Sequence, residues 1–162
     1  MSIAVGDKLP DATFAYMGEE DPAMRTVAEL TEGRKVVIFA VPGAYTPTCS
    51  NAHVPSFVAA ADEIRAKGVD EIACISVNDP FVMKAWGEAT GAAAAGITML
   101  ADGDGSFTKA LGLDFTAALV GLINRSQRYS MVVSDREVSA LNLEEGPGEA
   151  SVSLGGAILD QL

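Results

Sequence analysis

Two apolar, β-branched runs constrain the fold of this chain most strongly. The first covers Lys35 to Val41 and the second covers Glu71 to Val77. Neither run alternates apolar with polar side chains, as expected of strands that are buried on both faces of a sheet. A helical pattern follows each run, and parallel strands need such a crossover between them. The sequence therefore predicts an α/β fold.

The rest of the pattern adds helices, a third strand and a late hairpin. A capping box at Thr26 and Glu29 predicts a short helix before Gly33. The other predicted elements are a helix from Cys49 to Lys67, a helix capped by Asn78 or Asp79 that starts near Pro80 and runs through Trp86, a strand from Ile97 to Ala101, a helix from Phe107 to Leu111 capped by Ser106, hairpin strands from Arg128 to Ser134 and from Glu137 to Leu143, and a closing helix from Leu154 to Leu162. We expect one domain over residues 1–162, with a mixed central β-sheet flanked by helices.

Charge and cysteine content argue against several function classes. The 22 acidic residues against 11 Lys and Arg give a formal charge of -11, which repels nucleic acid and anionic membranes. No apolar run approaches the ~20 residues that span a bilayer, and no signal-peptide pattern is present. Two cysteines without such a signal favour a reducing, cytoplasmic location. One histidine and two cysteines are too few for a zinc site, so we expect no metal or other cofactor.

The segment from Val41 to Ser50 lies between a predicted buried strand and a long helix, where functional loops of α/β proteins occur. It places Cys49 in the first helical turn, where free backbone N–H groups and the helix dipole favour a thiolate. A free thiol with a pKa near ~8.5 is only slightly ionised at neutral pH, and a helix end contributes only ~0.3–1 kcal/mol. A cation at about 4 Å supplies up to ~4 kcal/mol before desolvation. We therefore expect an arginine beside this thiol.

Pro42, Thr46 and Cys49 form a Pro-x-x-x-Thr-x-x-Cys motif, which resembles the signature of peroxiredoxins. The surrounding Val-Pro-Gly-Ala-Tyr-Thr-Pro-Thr-Cys-Ser, and the segments that begin at Cys74 and Arg128, are similar to the peroxiredoxin 5, or type II, branch. The likeness covers nearly the whole chain. It implies a thioredoxin-like sandwich, a thiol peroxidase of antioxidant defence, and a homodimer.

The resemblance also implies a role for each residue of the motif. Cys49 is the peroxidatic nucleophile, which attacks a peroxide oxygen, releases water or an alcohol, and becomes a sulfenic acid. The Thr46 hydroxyl binds the peroxide and Pro42 shields the sulfur. Arg128 is the expected cation, and Gly43 belongs to the substrate-binding loop. Glutathione with glutaredoxin, or else thioredoxin, is the expected reductant.

Three residues near the motif keep open roles. Cys74 sits in a predicted buried strand, so it is either a spectator or a slow resolving cysteine. Some members of the family resolve the sulfenic acid with a cysteine near the C-terminus, but Val152 stands at that place here, which favours an external thiol. His53 either tunes the thiolate or is a hydrogen-bonded structural residue. Arg125 is either a second basic position of the site or a solvated surface charge.

Two other functions compete with a peroxidase. A thioredoxin-like disulfide oxidoreductase needs Cys-x-x-Cys, and the position three residues after Cys49 is Ala52. A redox sensor that uses Cys49 oxidation as a signal stays open at this stage. Trp86 and Phe81 are expected in the core or in a subunit contact.

Overall fold

A computed structural model describes all 162 residues of the chain. The strands are β1 (Thr13–Met17), β2 (Pro22–Thr26), β3 (Lys35–Val41), β4 (Glu71–Ser76), β5 (Thr98–Ala101), β6 (Asp114–Ala117), β7 (Leu122–Ser126), β8 (Tyr129–Ser134) and β9 (Glu137–Leu143). Seven strands form one sheet in the order β2-β1-β5-β4-β3-β8-β9, and β6 pairs with β7 separately. The β3, β4 and β5 strands run parallel to one another, whereas the remaining pairs are antiparallel. The predicted mixed sheet is confirmed.

Helices cover both faces of this sheet. They are α1 (Val27–Thr31), α2 (Val54–Ala66), α3 (Pro80–Thr90), α4 (Ser106–Ala110) and α5 (Gly155–Leu159).

 A π-helical turn from Cys49 to His53 leads into α2. The α2, α3 and α5 helices pack on one face, and α1 and α4 pack on the other. None of the helices is long and apolar enough to cross a lipid bilayer.

The β3 strand is buried on both faces, as its unbroken apolar sequence predicts. Val37 and Phe39 point into the core under α2, whereas Val36 and Ile38 belong to the opposite core. The Phe39 ring stacks on Phe57 of α2, with the ring centroids 4.0 Å apart. Burying a side chain of this size contributes about 1.5–3 kcal/mol, so this strand anchors both layers of the fold.

Several predicted ends and caps are confirmed. Thr26 and Glu29 form a reciprocal capping box at the start of α1, and the Asp79 side chain caps α3. The cap predicted at Ser106 is wrong. The Asp102 carboxylate accepts hydrogen bonds from the Phe107 and Thr108 backbone N–H groups instead. A carboxyl group accepts hydrogen bonds from the free N–H groups of a helix start, which explains why this more distant side chain supplies the cap.

The sequence pattern did not reveal β1, β2, β6 and β7, and the closing helix is shorter than predicted. The β2 strand lies at a sheet edge, and the β6–β7 hairpin lies outside the main sheet, so nearly all of their side chains are exposed or only partly buried. Strands with little buried surface carry only a weak alternation of apolar and polar residues. The closing helix contains only Gly155–Leu159.

The β8–β9 hairpin places its first residues beside the end of β3. Its tight turn at Asp135 and Arg136 has positive φ angles of 47° and 68°, as a two-residue hairpin turn requires. Tyr129 pairs with Ala40 of β3, so Arg128 lies at the carboxyl end of that strand. On the other side of the hairpin, the Glu144 N–H donates to the Arg128 carbonyl at 3.0 Å. Register alone therefore brings Arg128 and Glu144 to one end of the sheet.

A partly buried charge cluster at the start of β4 allows a test of stability. The Glu71 carboxylate accepts hydrogen bonds from Arg25, Arg34 and Thr98 at 2.6–2.9 Å. Burial alone would raise the pKa of Glu71, but the hydrogen bonds from these three residues outweigh it and lower the pKa to about 2. A lowered pKa stabilises the fold above the ordinary carboxyl range, and this contribution disappears as the pH falls through about 2.

We predict that Glu71→Gln lowers the free energy of unfolding at neutral pH by about 3 kcal/mol. Urea unfolding followed across the acid range measures this, and the variant should lose less stability than the wild type as the pH falls. Glu63→Gln changes the same charge at an exposed position of α2 and serves as the control. Equal losses in the two variants would contradict the assignment.

Candidate active site

The loop after β3 is held by hydrogen bonds from three directions. The Asn78 side-chain oxygen accepts from the Ala44 N–H at 3.0 Å, and Arg125 donates to the Pro42 carbonyl at 3.2 Å. Within the loop, the Thr46 hydroxyl donates to the Gly43 carbonyl at 2.8 Å. These bonds fix the backbone of the predicted motif. Arg125 is half-buried beneath the loop, so its interpretation as a solvated surface charge is wrong.

Cys49 lies in the first turn of the helical segment, as predicted, but this turn is π-helical. The Val54 N–H donates to the Cys49 carbonyl, which spans five residues instead of the usual four. The cysteine side chain is fully buried. Next to it, the Ser50 hydroxyl accepts a hydrogen bond from the Trp86 indole at 3.0 Å, which ties this turn to α3.

The Arg128 guanidinium contacts the sulfur directly. Its Nη2 donates to Cys49 Sγ at 3.1 Å and to the Pro147 carbonyl at 3.0 Å. Its Nη1 lies 3.0 Å from His53 Nδ1. The arginine is only 1% exposed, so its charge acts on the sulfur with little screening by solvent. The structure thus brings together Cys49 and the arginine that the sequence predicts beside it.

His53 occupies a more central place than its sequence position indicates. Its ring is buried, with Nδ1 facing Arg128 and Nε2 lying 3.1 Å from the Ser153 carbonyl. Burial, followed by the charge of Arg128, lowers the pKa of His53 to about 3. The ring is therefore neutral at physiological pH. Because an arginine only donates hydrogen bonds, Nδ1 must accept, and the proton resides on Nε2.

Cys74 has a different environment from Cys49. It lies on β4 opposite Phe39 of β3 and is fully buried. Burial, followed by the proximity of Cys49, raises the pKa of the Cys74 thiol. Both cysteines are free. The Cys74 thiol is therefore held in its neutral, weakly reactive form.

A cavity of about 180 Å³ opens beside the loop. Arg128 lines this cavity and also contacts the buried sulfur. Its lining consists of Pro42, Thr46, Pro47, Thr48, Leu122, Arg128, Pro147 and Gly148. Gly43, predicted in the substrate-binding loop, is not part of this lining. A Cβ at Gly43 would lie 2.7 Å from Arg125 Nη1, so this glycine provides room for the side chain that supports the loop.

Several residues around the site were not assigned to it from the sequence. The sequence indicates only a helix cap at Asn78, and it indicates no functional role for Pro147, Ser153 and Glu144. They come from loops that lack a recognisable pattern, so the sequence carries no signal for them beyond their position after a strand. Trp86 lies in the core as expected, whereas Phe81 is 61% exposed and is not a core residue.

The chain is similar to several known proteins. The Redoxin family profile matches residues 4–158. Peroxiredoxin-2E-2, chloroplastic, from Oryza sativa subsp. japonica is 54% identical over 149 residues, which cover 90% of this chain and 66% of the rice protein. The structure of reduced Prx3 in complex with H2O2 from Vibrio vulnificus is 52% identical, with a TM-score of 0.90 and 99% of each chain covered. That of peroxiredoxin 5 from Alvinella pompejana is 35% identical, with a TM-score of 0.84 over 97% of this chain and 96% of the other.

The neutral, buried state of His53 is directly testable because it is the only histidine in the chain. We predict that its ring keeps the Nε2–H tautomer and does not titrate until the pH approaches about 3. Nitrogen-resolved NMR of the imidazole in tag-free protein measures both properties. In the unfolded chain the same ring titrates near its ordinary value, so its contribution to stability decreases as the pH falls below about 6.5. Titration of the native ring near that pH would contradict the arrangement.

Proposed function

This chain belongs to the peroxiredoxin family, and we propose that it reduces hydrogen peroxide and organic hydroperoxides through Cys49. Its match to peroxiredoxin 5 confirms the resemblance to the type II branch. The observation that carries the proposal is the 3.1 Å contact between Arg128 Nη2 and the buried Cys49 sulfur. A cation at this distance favours the thiolate, which is the nucleophilic form of the side chain.

The proposed reaction begins with attack of the Cys49 thiolate on one peroxide oxygen. An S–O bond forms as the O–O bond breaks, and the leaving oxygen takes a proton from solvent to become water or an alcohol. The sulfur is thereby oxidised to a sulfenic acid. Negative charge moves from sulfur to the leaving oxygen, and the fixed donors of Arg128 stabilise it along that path.

Thr46 and Pro42 support substrate binding in this proposal. Both line the cavity beside Arg128, where the Thr46 hydroxyl would exchange its bond to Gly43 for one to the peroxide. Pro42 limits the access of water to the sulfur. The other lining residues include Leu122 and Pro147, which offer apolar surface to the organic part of a hydroperoxide.

We propose recycling by an external thiol, with glutathione and glutaredoxin first and thioredoxin second. The raised pKa of Cys74 and its burial in β4 argue against a fast internal disulfide. Glutathione would attack the sulfenic acid to give a mixed disulfide and water. A second thiol would then release the Cys49 thiolate and complete the cycle.

A homodimer is proposed from the surface around the active-site loop. Large apolar side chains are exposed there and on the neighbouring β6–β7 hairpin: Tyr45, Phe81, Leu119, Val120 and Ile123. Apolar patches of this kind commonly mark protein interfaces.

A cytoplasmic location is also part of the proposal, although the name of the rice relative refers to the chloroplast.

Replacing each cysteine in turn tests the catalytic assignment. We predict that Cys49→Ser abolishes peroxide turnover, because the nucleophile is lost. Cys74→Ser should retain most of the turnover with glutathione and glutaredoxin, since the buried thiol is not needed. Peroxide consumption and glutathione oxidation are measured together, and thioredoxin is compared as the reductant. Loss of turnover in Cys74→Ser would refute the recycling scheme, and activity in Cys49→Ser would refute the nucleophile.

A charge placed in the exposed apolar surface tests the dimer. We predict that Val120→Glu converts the protein to a monomer, because the interface would have to bury an unpaired carboxylate. Sedimentation velocity measures the change in mass. Met24→Glu introduces the same charge on the exposed edge strand β2 and should leave the dimer intact. A wild-type chain that sediments as a monomer would rule the dimer out.

A further inference from the structure

Glu144 is a buried carboxylate without a lysine or arginine partner. It follows β9 directly and is only 4% exposed. Its oxygens accept hydrogen bonds from the Ser151 N–H at 2.7 Å, and from the Ser153 N–H and hydroxyl at 2.8 Å each. Burial alone would raise the pKa of Glu144, but these N–H donors outweigh it and the pKa is lowered. The side chain is therefore a charged clamp on residues 151–153.

The clamped peptide leads directly to the reactive sulfur. The Ser153 carbonyl accepts the Nε2 proton of His53, at 3.1 Å. This bond keeps the proton on Nε2, so that Nδ1 presents its lone pair to Arg128 Nη1, 3.0 Å away. The same guanidinium donates from Nη2 to Cys49. An unbroken series of hydrogen bonds thus joins Glu144 to Cys49 through a serine, a histidine and an arginine.

Glu144 also holds Arg128 by a second route. The segment from Glu144 to Ser153 has no helix or strand of its own, so few internal bonds maintain its shape. It carries Pro147, whose carbonyl accepts from the same Nη2 that contacts the sulfur. Fixing both ends of the segment therefore also fixes the Pro147 carbonyl. Two of the bonds that orient the guanidinium depend on this loop.

We infer that Glu144 is a positioning residue, which holds the loop 144–153 so that His53 and Pro147 orient Arg128 toward the Cys49 sulfur. This inference rests on the proposed function, since it assigns a purpose to the arginine of that site. In metal sites, the loss of a residue that orients a ligand commonly costs about 10- to 100-fold in activity, and we expect an effect at the lower end of this range here. Glu144 would act on the readiness of the sulfur to react, without touching the peroxide.

The variant Glu144→Gln tests this inference, because an amide keeps the shape of the side chain but loses its charge and half of its acceptor capacity. Glu145→Gln is the matched control, since this neighbour is exposed and makes no side-chain hydrogen bond. Both variants are made in the Cys74→Ser background, so that Cys49 is the only thiol that can be alkylated or can absorb as a thiolate. We measure the iodoacetamide alkylation rate and the ultraviolet thiolate absorbance at neutral pH, and the rate with hydrogen peroxide. Glu144→Gln should reduce both rates about 10-fold and weaken the absorbance, whereas Glu145→Gln should change neither.

A double-mutant cycle separates this path from general loosening of the fold. Because Glu144 acts in part through His53, Glu144→Gln should slow alkylation by a smaller factor in a His53→Gln background than it does alone. Fully additive losses would overturn the path through the histidine. Alkylation and thiolate absorbance of Glu144→Gln equal to those of the control would overturn the inference as a whole.

Two precautions keep the outcome decisive. Should Glu144→Gln fail to fold, Glu144→Asp keeps the charge but draws the carboxylate back by one methylene from the donors of Ser151 and Ser153, and a folded Glu144→Asp with a wild-type alkylation rate would overturn the inference. Alkylation and thiolate absorbance require no peroxide. A wild-type chain that does not consume peroxide would therefore refute the proposed function, while these two measurements would still decide the role of Glu144.

Discussion

The buried contact between Arg128 and Cys49 is the interaction on which the rest of the site depends. A guanidinium that is 1% exposed has lost its hydration, so acceptors within the protein must replace water. Its two terminal nitrogens find such acceptors, whereas Nε has no hydrogen-bond partner. The Cys49 sulfur, the Pro147 carbonyl and the His53 ring supply the acceptors. Cys49 and His53 lie on the same π-helical turn, whereas Pro147 belongs to the C-terminal segment. The need to compensate one buried cation therefore draws the helix start and the C-terminal segment together.

The two cysteines show how environment sets the chemistry of a side chain. Both are fully buried, and both belong to the same apolar core. Cys49 has a guanidinium donor at its sulfur, whereas Cys74 lies within a strand among apolar neighbours and has a raised pKa. Burial without a cation favours the neutral thiol, and burial beside one favours the thiolate. In the proposed mechanism, the reactive cysteine therefore differs from the inert one in its neighbours and not in its exposure.

His53 and Glu144 support that arrangement in opposite ways. His53 stays neutral, with its pKa lowered to about 3, and so accepts a hydrogen bond from a cation without repelling it. Glu144 keeps its charge because backbone N–H groups solvate it in place of water. Together they orient the arginine through bonds that do not involve the peroxide. The site therefore has its donors in place before any substrate enters.

The sequence by itself determined the α/β fold, the buried strands β3 and β4, the hairpin turn at Asp135, and the position of Cys49 in the first helical turn, where we propose it as the reactive residue. These follow from local periodicity and from a motif whose residues are close together in the chain. Tertiary structure alone decided the π-helical turn, the place of His53 and the role of Asn78 and Glu144. His53 meets a carbonyl that lies 100 residues away in the chain. Such contacts depend on sheet register and loop packing, which no local pattern encodes.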